Sequence, residues 1–111
     1  MEKIEKLQFA ILDFFKEYAK DIRPTNPVKV QILADKENHH YQLLRVGFKG
    51  DKFVHLVVFH FDIINEKIWT QVNNTDILVN EDLEKRGVKK EEMVIGFLPD
   101  YMRPHTGFAS A

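Results

Sequence analysis

Phe53-Val54-His55-Leu56-Val57-Val58-Phe59-His60-Phe61-Asp62-Ile63-Ile64 is the stretch on which the fold turns. Aromatic and β-branched residues fill it, and Leu56-Val57-Val58-Phe59 is apolar on both faces, so it reads as a central strand covered on both sides. Upstream, Lys49-Gly50-Asp51-Lys52 is too short for a crossover and holds a glycine that supplies a positive φ, so Tyr41 to Phe48 joins it as a hairpin. Downstream, Asn65-Glu66 turns the chain into the strand Lys67-Ile68-Trp69-Thr70-Gln71-Val72. Ahead of the hairpin, Val28-Lys29-Val30-Gln31-Ile32 alternates as a half-buried strand does. Four strands joined by short turns form an antiparallel meander, because parallel neighbours would need crossover helices.

Helices flank the strands. Ile4, Leu7, Ile11, Phe14, Phe15, Tyr18 and Ile22 recur at three- and four-residue spacing from Lys3 to Ile22, which places them on one helical stripe, and Pro24 and Pro27 end it. Thr75 offers a capping oxygen and Asp76 a favourable charge for a second helix running to Arg86, with Gly87 as its left-handed stop. Lys89-Lys90-Glu91-Glu92 makes one more turn before the short apolar run Met93-Val94-Ile95, and a tail with Pro99 and Pro104 is expected to be extended. The expectation is one α+β domain over residues 1–111: a four-stranded antiparallel meander packed with an N-terminal helix and a second helix near the C-terminus.

Composition fits that size. The 111 residues are 44% hydrophobic and 30% charged, enough apolar surface to fold as one core and too few residues for two. Sixteen basic and 17 acidic side chains leave a net charge of −1, so the global positive field of a phosphate-gripping protein is absent. Lys85-Arg86 and Lys89-Lys90 are interleaved with Glu81, Asp82, Glu84, Glu91 and Glu92, which argues against a DNA-binding face. The lack of cysteine excludes disulfides, thiolate metal sites and thiol nucleophiles and suits a reducing cytoplasm. Residues 1–6 mix charges of both signs without a signal-like apolar run, and no stretch approaches the ~20 apolar residues of a membrane span.

Few residues carry chemistry. The sole serine, Ser110, sits beside the C-terminal residue, and no glycine-rich nucleotide motif occurs. Of the five histidines, His39 and His40 are adjacent and expected in a solvated turn, while His55 and His60, five apart, fall on opposite faces of a regular strand. A histidine satisfied by Asp62 is preferred over a metal site there, and Asp62 itself is read as the strand's exit into a turn. The sequence thus assigns no catalytic, cofactor-binding or metal residues. Two contact features remain. Phe9 lies ~140° from the apolar stripe at about 100° per residue, so it faces away from the core as a partner contact or as an ordinary exposed aromatic. In the tail, Arg103, His105 and Thr106 stand close enough in sequence to hold a carboxylate or phosphate; the competing reading has Tyr101 and Phe108 anchoring the tail and Arg103 pairing with an internal acid.

The order of motifs from Tyr41 onward carries a resemblance. Tyr41-Gln42-Leu43-Leu44-Arg45-Val46-Gly47-Phe48, His60-Phe61-Asp62-Ile63, Lys67-Ile68-Trp69-Thr70-Gln71, Thr75-Asp76, Gly87-Val88, Val94-Ile95-Gly96-Phe97 and Arg103-Pro104-His105-Thr106-Gly107-Phe108-Ala109 together resemble the XisI family. Phe48 stands where that family usually has tryptophan, and Lys89 where proline commonly follows Gly-Val. The resemblance implies a small cyanobacterial factor controlling excision of the fdxN DNA element, a rearrangement that accompanies heterocyst differentiation. It also implies an XisH-type protein partner, itself similar to a nuclease-like fold, and brings no catalytic residues. Alternatives are an inhibitor module paired with a nuclease-like protein, as in a toxin–antitoxin pair, weak direct DNA binding, or metal-assisted chemistry through His55 or His60.

Overall fold

The apolar stripe of the N-terminal segment becomes α1, Lys3–Lys20, which buries Leu7, Ala10, Ile11, Phe14 and Phe15 in the computed structural model describing residues 2–111. The helix stops two residues short of Ile22, whose amide bonds back to Ala19 at 3.1 Å in a tightened last turn ahead of the prolines. The strands are β1 Lys29–Asp35, β2 His40–Lys49, β3 Lys52–Ile64, β4 Lys67–Asn73 and β5 Met93–Ile95, arranged in that order across one sheet. The first four pair antiparallel, and Gly50 takes φ 63° in the β2–β3 turn as its sequence position demands.

The sheet has five strands and is mixed. Met93–Ile95 pairs parallel to β4 through Ile68↔Met93, Trp69↔Val94 and Thr70↔Ile95, so the short apolar run is a fifth strand. The segment between β4 and β5 supplies the crossover that parallel pairing requires. It contains α2, Val79–Lys85, which starts after Leu78 instead of at Thr75. Thr75 uses its hydroxyl in a preceding turn, accepting the Ile77 N–H at 3.1 Å and donating to Asn73 Oδ1 at 2.7 Å. Gly87 ends α2 at φ 91°, and Lys90–Glu92 forms a 3₁₀ turn. The tail is not extended: Arg103–His105 is a second 3₁₀ turn, after which Ala109 bridges Val94 and donates to the Met93 carbonyl at 2.9 Å.

Both helices lie on one face. Phe59, Phe61 and Ile63 of β3 are buried there with Tyr41, Leu43, Ile68 and Met93, under α1 and the Val79 and Leu83 side chains of α2. Phe14 meets Phe59 edge-on at 5.0 Å between ring centroids, and Phe15 stacks on Phe61 at 5.6 Å. The expectation that β3 is covered on both faces therefore fails, since α1 and α2 both pack on the same face. Gly47 is fixed by close approach: at φ 147° a Cβ there would sit 2.2 Å from the Pro27 carbonyl oxygen. Among the described residues no helix is long and apolar enough to cross a membrane.

Candidate functional site

Residues directly opposite in an antiparallel pair share a face. His40 lies opposite Asp62, Gln42 opposite His60, and Asp62 opposite Trp69, so these side chains gather on the sheet face away from the helices. One residue decides the grouping. Carrying the Lys49↔Lys52 register straight along the hairpin would set His40 against Phe61, but a shift between Leu43 and Leu44 leaves Val58 as a bulge and moves His40 opposite Asp62.

Asp62 is the hub. Its Oδ1 accepts from His40 Nδ1 at 2.7 Å and from His60 Nε2 at 2.8 Å, and its Oδ2 accepts from Gln71 Nε2 at 3.2 Å. Gln42 Nε2 donates to His60 Nδ1 at 2.9 Å, which fixes the tautomer in which Nε2 carries the proton. The Asp62 side chain is only 14% exposed. Burial pushes its carboxyl up, but the bonds from His40, His60 and Gln71 outweigh this and hold it below the usual carboxylate range. The bond to Asp62 raises His40 in turn.

This placement corrects the sequence reading in three respects. Asp62 is inside the β3 ladder, not at a turn. His40 is the first residue of β2 instead of a loop residue, while His39 does occupy the turn, at φ 63°. His55 and His60 share the open face because the bulge breaks strict alternation, yet they oppose Val46 and Gln42, four residues apart on β2, about 14 Å at ~3.4 Å per residue. His60 is the histidine that Asp62 satisfies; His55 stays apart.

The other candidates are dispersed. Arg103 lays its guanidinium over the Trp69 ring at 4.9 Å and donates to the Leu98 carbonyl at 3.0 Å, so it pairs with a ring and carbonyl oxygens and not with an acid. Thr106 Oγ1 donates to the Arg103 carbonyl at 2.8 Å and accepts from the Phe108 N–H at 3.1 Å. Both side chains are already engaged, Thr106 within the tail and Arg103 on β4 and the tail, and exposed His105 does not join them. Phe108 packs against the core, whereas Tyr101 is exposed and anchors nothing. Phe9 is 62% exposed on α1 and lines a shallow cleft with Gln8, Leu12 and Lys36. A larger cleft, about 670 Å³, lies beneath the loop after α1, but its Arg45 is already committed to the Val28 carbonyl at 2.7 and 3.1 Å.

Comparison with known proteins places this architecture. The family described as XisI protein matches residues 1–110. A crystal structure of a XisI-like protein from Anabaena variabilis ATCC 29413 is 36% identical, covering 97% of this chain and 99% of that one, with a TM-score of 0.90. The fdxN element excision controlling factor XisI from the same organism is 23% identical over 99% of this chain and 100% of that one; its TM-score of 0.83 shows a common fold. No curated protein matches this chain. A family match over nearly every residue, joined to the 36% identical relative with the same fold, shows that the chain belongs to the XisI family.

Proposed function

We propose that this protein is a non-enzymatic accessory factor in the controlled excision of a DNA element, acting in the cytoplasm through contacts with an XisH-type, nuclease-like partner. The family match over residues 1–110 carries the reading. The near-balanced charge of −1 supports contact with protein ahead of a phosphate backbone. Co-expression with the product of the adjacent gene, followed by affinity capture of this chain, tests it. Retention of a nuclease-like protein whose DNA cleavage or binding changes on complex formation is expected. Failure of capture, together with retention on duplex DNA that weakens steeply with salt, would replace the partner reading with direct DNA binding.

We further propose that the working form is a dimer joined through β1. The two edges of the sheet differ: the tail covers β5 by the Val94↔Ala109 bridge, while β1 is exposed at six of its seven positions. The β1 sequence Lys29-Val30-Gln31-Ile32-Leu33-Ala34-Asp35 is complementary to itself. A second copy paired antiparallel about Ile32 sets each Lys29 against an Asp35. Ile32 opposes Leu43 and so faces the helix side, where α1 presents Phe9 in the cleft it shares with Lys36, the residue directly after β1. Lys29→Asp should weaken the dimer and the double change Lys29→Asp with Asp35→Lys should restore it, as sedimentation velocity would read; loss without restoration rejects this register.

A further inference from the structure

We propose that His40, His60 and Asp62 form a binding site for one divalent transition-metal cation on the open face of the sheet. A ring nitrogen of His40, a ring nitrogen of His60 and a carboxylate oxygen of Asp62 all lie within 4.8 Å of one another, and the nitrogens that meet Oδ1 of Asp62 are Nδ1 of His40 and Nε2 of His60. Two imidazoles and a carboxylate are a donor set suited to zinc, nickel, copper or iron, and less to calcium or magnesium, which prefer oxygen alone. All three side chains stand on paired strands, so the donors are held by the β2–β3 ladder and not by a loop.

The surrounding groups that serve the hydrogen-bond cluster can also serve an ion. Gln71 donates to Oδ2 of Asp62, which leaves Oδ1 as the ligand atom, and Gln42 sits on the far nitrogen of His60. Such partners orient metal-bound carboxylates and imidazoles. When a cation takes Nε2 of His60, the ring proton moves to Nδ1, and a half-turn of the Gln42 amide presents its carbonyl oxygen to accept it. The donors now stand 2.7 and 2.8 Å from Oδ1. A tetrahedral ion with bonds of about 2.0–2.2 Å spaces its ligands about 3.4 Å apart, so the two ring nitrogens need withdraw from Oδ1 by only about 0.6–0.7 Å. With three protein ligands the ion keeps an open position, and His40, at 56% side-chain exposure, marks the solvent side on which water or a partner's donor would complete it.

The protein carries its own reporter. Trp69 is the only tryptophan and lies opposite Asp62 on this face, so bound nickel or copper should quench its emission. Titration of the full chain with nickel chloride should give saturable quenching at one ion per chain, and zinc chloride should raise the thermal midpoint. His40→Gln, His60→Gln and Asp62→Asn should each weaken binding at least tenfold and abolish the zinc-dependent rise, while His55→Ala and His105→Ala leave both unchanged. The glutamine variants keep a donor to Asp62, and circular dichroism confirms that they fold. Absence of saturable one-to-one binding up to 100 µM would overturn the assignment, as would equal weakening in the His55→Ala or His105→Ala chains. Because the readouts are emission and melting of the isolated chain, they stand or fall independently of partner capture.

Discussion

Replacing Phe9 by aspartate should break the proposed dimer and leave the fold intact. Phe9 is 62% exposed, so the monomer has used little of its apolar area. Completing the burial of a phenylalanine recovers about 1–2 kcal/mol per copy, or about 2–4 kcal/mol over a symmetric pair. Losing that contribution weakens the dissociation constant roughly thirty- to several-hundred-fold, and the desolvation of two aspartates adds to the loss. Light scattering over a concentration series should show twice the chain mass for the unmodified protein and the single-chain mass for Phe9→Asp at the same micromolar concentration. Circular dichroism should be unchanged, because the side chain lies off the stripe formed by Leu7, Ile11, Phe14 and Phe15. An unmodified protein that stays monomeric at high micromolar concentration refutes the dimer, and a mutant that unfolds refutes the placement of Phe9 outside the core.

Three further outcomes follow from the packing. Gly47→Ala should cost about 2–4 kcal/mol in urea unfolding, because a Cβ 2.2 Å from the Pro27 oxygen must displace that backbone while the new residue adopts φ 147°. Phe59→Ala, at a fully buried position touching Phe14 and Tyr18, should cost about 3–5 kcal/mol by the same measurement. For Glu92, burial pushes the carboxyl up, but the Lys89 N–H at 2.9 Å and the Lys3 ammonium at 3.4 Å outweigh it and leave the value lowered. A lowered carboxylate contributes stability that is present above its unfolded value of about 4.3 and lost as pH falls through its folded value, so Lys3→Ala should move the acid-unfolding midpoint upward. Half-exposed Lys3 limits the effect at neutral pH to about 0.2–1 kcal/mol, and an unchanged acid midpoint would show that the pair contributes nothing.

Local signals made most of the fold legible. The α1 stripe, the Gly50 turn and the Gly87 stop each follow from chemistry within a few residues. The fifth strand was hidden because Met93–Ile95 is three residues long and its parallel pairing with β4 depends on the long crossover that joins them. The Thr75 cap misled for a related reason. Its hydroxyl can serve a turn or a helix equally well, and Asn73, two residues back, claims it for the turn. Coverage of β3 was misread because an apolar run shows what a face can bury and not what arrives to bury it; here α1 and α2 both go to one side.

The site was less legible, and a single residue accounts for it. His60 and Asp62, two apart on a strand, visibly share a face, but His40 enters only through register. Counting back from the Gly50 turn would have placed it opposite Phe61, on the helix side, and would have left Asp62 with His60 alone. The extra residue at Val58 reverses the facing of everything beyond it: it drops Val58 into the core, keeps Phe59 and Phe61 under the helices, and delivers His40 and Gln42 to the face that carries Asp62. No side-chain preference in Leu56-Val57-Val58-Phe59 marks the bulge, since all four residues suit either face. It is fixed by the sum of two burials, Phe59 with Phe61 under α1 and Tyr41 with Leu43 opposite them, which a regular ladder from the same turn could not satisfy together. The polar cluster on the open face is thus set by packing on the closed one.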